Sequence, residues 1–220
     1  MTTLAFDIYG TIIDTKAVSI KLDDLVGNLS GTFTQLWRDK QLEYSFRRGL
    51  MQDYVPFPTC TEQALNYTDS LLGTALTDED KSSLLELYKV LPAFPDVEPA
   101  LSRLKELNIR IYAFSNGTAA GVEKLLASAN IEHFFQDIIS VDEIQTFKPS
   151  PDTYHHFLQR TNSRNDCSWL ISSNPFDILG ANNAGLNTAW VKRSAETIFD
   201  PWGIIPTETV HSLTELSNKF

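Results

Sequence analysis

Apolar and polar positions follow two rhythms along the chain. Leu4-Ala5-Phe6 is a short continuous apolar run closed by Asp7 and a Gly-Thr turn, the pattern of a strand buried in a parallel sheet. From about Lys16 to Leu91 the spacing is helical. Phe33, Leu36, Trp37, Lys40 and Tyr44 mark one helix. Ala64, Leu65, Leu71 and Leu72 mark a second, with Thr61 as its expected cap. Thr77-Asp78-Glu79-Asp80 resembles a capping box ahead of Leu84, Leu85 and Tyr88. After Pro92 strands and helices alternate. Asp96 can cap a helix carrying Val97, Ala100, Leu101, Leu104 and Leu107 on one face; residues 109–114 then read as a strand ending in Ser115-Asn116-Gly117-Thr118. A helix with Val122, Leu125, Leu126 and Ala129 leads to the strand Asp137–Ser140. Trp169-Leu170-Ile171 and Thr188–Val191 read as two more strands. Alternation of this kind predicts an α/β fold with a doubly wound parallel sheet, interrupted by a small helical bundle.

Composition narrows the partners. A formal net charge of −10 argues against nucleic acid, whose phosphates need clustered Lys and Arg. An anionic substrate would have to be drawn by a local cationic pocket, because the summed field repels it. Cys60 and Cys167 lie far apart without metal-like spacing and are expected to be reduced thiols. No basic-apolar leader and no run near the ~20 apolar residues of a membrane span are evident, so a cytoplasmic protein is expected.

The strand ends carry the chemistry. Asp7, Ser115-Asn116 and Ser172-Ser173-Asn174 all follow apolar runs, and in open α/β sheets the ligand crevice lies beyond the carboxyl ends of the strands. Ser, Asn and Gly also terminate strands for purely conformational reasons. Three strand ends alike, one with an isolated carboxylate, favour a site.

Asp7-x-Tyr9-Gly10-Thr11, Ser115-Asn116, Lys148-Pro149 and Ser172-Ser173-Asn174-x-x-Asp177 together resemble, in order and spacing, the haloacid dehalogenase superfamily. The resemblance implies a Rossmann-like core, residues 1–14 and 92–220, with a helical cap subdomain at 15–91 inserted after the first strand. Two departures from the phosphatases of that superfamily select a branch. Tyr9 stands where they place a second Asp, and a phenol with a pKa of about 10 is a poor proton donor to a leaving alkoxide. Ser172-Ser173-Asn174 replaces the first acid of their metal-binding pair, and hard Mg²⁺ prefers carboxylate oxygens. A leaving halide needs no proton, and a monoanionic substrate can be neutralised by two cationic side chains. Both changes are similar to the metal-independent L-2-haloacid dehalogenases, which use no cofactor.

That resemblance implies Asp7 as the nucleophile, forming an ester with inversion that water then hydrolyses. Lys148 and Thr11 would hold and orient the Asp7 carboxylate, with Tyr154 as a site tyrosine. Ser115 and the N–H groups around Ile8, Tyr9 and Asn116 would grip the substrate carboxylate. Arg38, Asn174 and Phe176 would cradle the halide. Leu42 and Phe57 would line the apolar pocket, and Asp177 and Ser172 would position Lys148 and the hydrolytic water. Phe176 stands where some relatives have Trp, and Asp39 where some have Gln. His155 and His156, adjacent on one helix, point apart and are expected at the surface. The expected partners are a small 2-haloacid and halide, with a homodimer implied by resemblance alone. Three alternatives stay open on the residues: hydrolysis of another activated 2-carboxylate by the same Asp, an Mg-dependent small-molecule phosphatase, and a catalytically silent binding module.

Overall fold

The computed structural model describes residues 1–220. Six strands form one parallel sheet: β1 (Thr3–Phe6), β2 (Arg110–Ser115), β3 (Ile138–Ser140), β4 (Ser168–Ser172), β5 (Asn187–Val191) and β6 (Glu208–Val210), in the order β3-β2-β1-β4-β5-β6. All four residues of β1 are buried, as its unbroken apolar run requires. Phe6 pairs in register with Ala113 on one side and Ile171 on the other. The sheet therefore grows away from β1 in both directions, and the end of β1 is its switch point.

Between β1 and β2 lie α1 (Ser19–Val26), α2 (Ser30–Met51), α3 (Phe57–Leu72), α4 (Asp78–Leu87) and α5 (Val97–Glu106). The buried residues of α2 include Phe33, Trp37, Gln41 and Ser45, four apart, so one stripe of this long helix turns inward and changes from aromatic to polar along its length. The Trp37 indole N–H donates to the Thr61 carbonyl at 2.9 Å and ties α2 to α3. The capping box of α4 is present, with Asp80 in the place usually held by Glu.

Two caps differ from expectation. Helix α3 begins at Phe57, with Pro56 at its N-cap and Pro58, which has no N–H to leave unpaired, in its first turn, four residues before Thr61. Thr61 sits inside the helix, and its hydroxyl donates to the Phe57 carbonyl at 3.1 Å. Asp96 occupies the N-cap position of α5 but caps nothing with its side chain. Its carboxylate instead accepts from Arg193 through both oxygens at 2.7 Å and from the Leu213 N–H at 2.7 Å. Beyond β2, helices α6 (Ala119–Ser128), α7 (Pro151–Thr161), α8 (Pro175–Asn183) and α9 (Leu213–Ser217) complete the flanking layers. The sequence pattern did not reveal α1, α8, β6 or α9: α1 buries only Leu22, and of β6 only Val210 is buried. Leu71 and Leu107, placed on apolar faces by spacing, are exposed. No helix is long and apolar enough to cross a membrane.

Arg193 also donates to the Thr11 carbonyl at 2.6 Å, so the Asp96–Arg193 pair braces the turn after β1 from behind. Removing one partner of a largely buried, hydrogen-bonded pair leaves the other uncompensated. Asp96→Ala is expected to lower unfolding free energy by about 2–3 kcal/mol, read as a reduced urea midpoint at unchanged slope.

Candidate active site

Asp7 follows the last residue of β1, level with the ends of β2 and β4, and its backbone N–H is held by the Ile171 carbonyl at 3.0 Å. Gly10, at φ +85°, turns the chain in a conformation that L side chains rarely adopt, which returns Thr11 toward Asp7. The two carboxylate oxygens are then treated differently. Oδ2 accepts from the Thr11 hydroxyl at 2.8 Å, the Ser172 hydroxyl at 3.1 Å and the Asn174 amide at 2.6 Å. Oδ1 meets only the Lys148 ammonium, at 3.3 Å.

Lys148 is 1 % exposed, and a buried ammonium needs an acceptor for each of its hydrogens. Three are in reach: Asp7 Oδ1, the Phe114 carbonyl at 2.9 Å and Asp177 Oδ2 at 2.8 Å. Asp177, wholly buried, accepts at Oδ1 from the Tyr154 hydroxyl at 2.7 Å. Burial pushes its carboxyl up to about 6, and the Lys148 charge opposes that rise. Burial and the neighbouring Asp177 hold the Tyr154 phenol well above its ordinary range, so it stays a donor. Tyr154 reaches Asp177 across Gly180, where a Cβ would lie 2.4 Å from the phenol oxygen and 2.7 Å from Pro149 Cβ. Only glycine allows so close an approach.

Helix α2 supplies a second cation. Arg38 donates to the Tyr9 carbonyl at 3.3 Å, and the Asn174 amide donates to the same carbonyl at 3.1 Å. The Tyr9 ring packs on Phe57, centroids 5.7 Å apart, and stacks on Tyr88 at 5.9 Å. Burial raises the Tyr9 phenol far above its ordinary value. Tyr9 is thus an aromatic wall and not a proton donor, which answers why a second acid is missing there.

The backbone N–H groups of Ile8, Tyr9 and Asn116 donate to no group within the protein. Beside them Ser115 is fully buried, and its oxygen accepts from the Gly117 N–H at 3.0 Å, which leaves the hydroxyl hydrogen free to donate. The Asn116 side chain accepts from the Lys148 N–H at 2.9 Å and fixes the loop that carries the lysine. Unpaired amides converging beside a carboxylate suit an anionic ligand.

Other expected residues stand further off. Both hydrogens of the Asn174 amide are committed, to Asp7 and to the Tyr9 carbonyl. Phe176 packs edge-on against Phe46 at 5.0 Å and, with Leu50 and Trp202, lines a cavity of about 750 Å³ beside the site. Leu42 is half-buried outside the packed clusters, whereas Phe57 packs with Cys60 and Phe147. Asp39 is exposed and accepts from Gln35 at 2.8 Å. His155 is exposed, and His156 lies 3.1 Å from Glu143. Sequence reasoning gave no role to three residues at the site, Ser173, Gln41 and Tyr88. Ser173 donates to the Gly10 carbonyl at 2.6 Å, and its N–H donates to Thr11 at 2.8 Å. Gln41 accepts from Arg38 at 2.6 Å, and the Tyr88 hydroxyl reaches the same Gln41 oxygen at 3.3 Å. The i+4 stripe from Phe33 through Trp37 was the available signal for Gln41.

Comparison with known proteins agrees with this geometry. A profile of haloacid dehalogenase-like hydrolases matches residues 1–185. An (S)-2-haloacid dehalogenase of Pseudomonas fluorescens is 34% identical over 213 residues, 97% of this chain and 93% of the relative. Haloacetate dehalogenase H-2 of Moraxella sp. is 32% identical over 207 residues, 94% of this chain and 92% of the relative. The solved L-2-haloacid dehalogenase of Xanthobacter autotrophicus with chloropropionic acid covalently bound superposes with a TM-score of 0.93 at 28% identity, covering 99% of this chain and 97% of that one. With a match of this extent in both sequence and fold, the chain belongs to the haloacid dehalogenase-like hydrolases, in the branch of the (S)-2-haloacid dehalogenases.

Proposed function

We propose that this enzyme hydrolyses short-chain L-2-haloalkanoic acids to D-2-hydroxy acids through an ester on Asp7. The observation that carries the reading is the asymmetry of that carboxylate: three donors hold Oδ2, and Oδ1 faces Lys148 alone. Oδ1 is therefore the oxygen with a lone pair free to attack.

In the first step Oδ1 attacks C2 from the side opposite the halogen. The new C–O bond forms as the C–X bond breaks, and halide leaves with the bonding pair. The substrate carboxylate is held by the free N–H groups of Ile8, Tyr9 and Asn116 and by Ser115. Arg38 faces the departing charge, with Leu42, Phe57 and Phe176 as apolar surroundings and Asn174 at the edge of the halide site. In the second step water adds to the Asp7 carbonyl carbon, so the C2–O bond made by inversion survives into the product. Water supplies the oxygen that restores Asp7, and one proton is released per halide. Lys148, braced by Asp177 that Tyr154 in turn holds, and Ser172, which donates to Asp7 Oδ2, keep Asp7 in place through both steps. A covalently bound chloropropionic acid in the Xanthobacter relative supports an ester intermediate.

The residues do not fit a divalent cation. Asp7 is faced by hydroxyl, amide and ammonium donors, and Asp177 is engaged with Lys148 and Tyr154. No three His, Cys, Asp or Glu side chains are grouped to hold a metal. The reading extends to residues 15–91 as a cap closing over the core. On family resemblance alone it extends to a homodimer, and on the net charge and apolar patterning of the chain to a cytoplasmic protein without nucleic-acid or membrane partners.

Halide release from L-2-chloropropionate, at an unchanged rate in EDTA, is expected from the wild type, with none from the D-isomer. Asp7→Asn is expected to reduce it to the uncatalysed background. Release from neither isomer, or release only with added Mg²⁺, would sink the reading. A pH profile tests the buried pair. Asp177 must be ionised to hold Lys148, so kcat/KM is expected to fall as pH drops through about 6, where Asp177 takes up a proton. The Tyr154 hydrogen bond lowers the Asp177 value, so Tyr154→Phe should move this acid limb to higher pH; a limb that stays or moves down contradicts the assignment.

A further inference from the structure

Arg38 is steered from inside the cap by a chain of hydrogen bonds whose directions are all determined. Its Nη1 donates to Gln41 Oε1 at 2.6 Å. The Gln41 amide N–H donates to Thr61 Oγ1 at 2.6 Å, and the Thr61 hydroxyl donates to the Phe57 carbonyl at 3.1 Å. Tyr88 donates to Gln41 Oε1 at 3.3 Å. A backbone carbonyl only accepts, so the Thr61 hydrogen is spent on Phe57 and Thr61 must accept from Gln41. An arginine only donates, so the atom facing it must be the amide oxygen. Both ends demand the same orientation of the Gln41 amide.

Gln41 is 1 % exposed and sits on the inward stripe of α2 one turn beyond Trp37. Burying an amide there is costly unless it is paired, and its oxygen accepts twice while its nitrogen is engaged with Thr61. A glutamate has the same length and would bind a guanidinium more strongly. It would also cancel the charge that Arg38 presents to a leaving anion.

We infer that Gln41, Thr61 and Tyr88 are positioning residues that aim a neutral oxygen at Arg38, holding its guanidinium over the Tyr9 carbonyl with its positive charge intact for the departing halide. This inference rests on the dehalogenase reading of the site. Arg38 touches the substrate; the other three act through it. Because α2, α3 and the segment after α4 each contribute one member, the cap must be correctly packed before Arg38 is aligned.

The test compares L-2-chloropropionate with L-2-bromopropionate as substrates. Chloride is the poorer leaving group and depends more on a well-placed cation. Gln41→Met is expected to lower kcat/KM for the chloro acid about tenfold and for the bromo acid less, so the bromo-to-chloro ratio rises. Gln41→Glu should lose more than Gln41→Met although it restores the bond to Arg38. Thr61→Val frees the amide to turn over and should shift the ratio the same way, while Thr61→Ser keeps the wild-type ratio. Thermal unfolding of each variant separates lost folding from lost alignment. A Gln41→Glu enzyme at least as active as Gln41→Met, or an unchanged ratio in folded Gln41→Met and Thr61→Val, overturns the inference. Arg38→Ala is the control: a ratio unchanged there overturns the halide role of Arg38, and with it the reading on which the inference depends.

Discussion

A single ammonium group buried between two carboxylates is the constraint on which the structure depends. Lys148 Nζ lies 3.3 Å from Asp7 and 2.8 Å from Asp177, at the carboxyl end of the central strands, where water is almost excluded. None of the three charges could be buried alone at tolerable cost, and together they satisfy one another only in one geometry. That geometry needs the ends of β1 and β4, the loop before α7 and the first turn of α8 in register at once. The glycine at 180 and the phenol of Tyr154 exist in service of it, since Asp177 would otherwise have an unpaired oxygen.

The same constraint sorts the two oxygens of Asp7. Donors from the turn after β1 and from the end of β4 collect on Oδ2, because those elements approach from one side. The opposite side is left to Lys148 and to a ligand. Reactivity here follows from unequal solvation of one carboxylate, with hydrogen bonds standing where water would be. Burial of Asp177 has a related effect: it raises the proton affinity of a group that must nonetheless stay ionised to brace the lysine.

The helices between β1 and β2 share one continuous hydrophobic cluster with the sheet, and a few directional contacts are added to it. Tyr9, the residue in place of a second acid, carries three of them: its carbonyl receives Arg38, and its ring meets Phe57 and Tyr88. Tyr54 adds a hydrogen bond to Asp142 on the core side. A side chain that cannot donate a proton at neutral pH thus becomes a surface on which residues of α3 and the segment after α4 pack, and Arg38 of α2 arrives at the same residue.

Much of this was legible in the residues themselves. The apolar run before Asp7, the polar ends of β2 and β4, and the helical spacing of 33–44 and 97–104 are local patterns. They need only the periods of strand and helix. The chemistry class followed from the resemblance of four motifs to the haloacid dehalogenase superfamily, with tyrosine at position 9 and no paired acid near 172–174 selecting the branch. Caps at Thr61 and Asp96 were misread because a cap is defined by where the helix starts and by which partner outbids the backbone; Pro56 and Arg193 decided those. Strand β6 and helices α1 and α9 escaped because α1 and β6 each bury a single residue and α9 spans only five residues, too few to repeat a helical period. The sequence by itself determined the alternation of the main strands and helices, the isolated carboxylate of Asp7 at the end of the first strand and the absence of a second acid at position 9. Only the tertiary structure decided which oxygen of Asp7 is free, which groups surround Lys148, and that Gln41 turns its oxygen toward Arg38. The physical reason is distance along the chain: periodicity is written within a few residues, whereas Asp7 and Lys148 meet across a separation of 141 residues and Lys148 and Asp177 across 29. Which donor faces which acceptor is settled when packing brings them together.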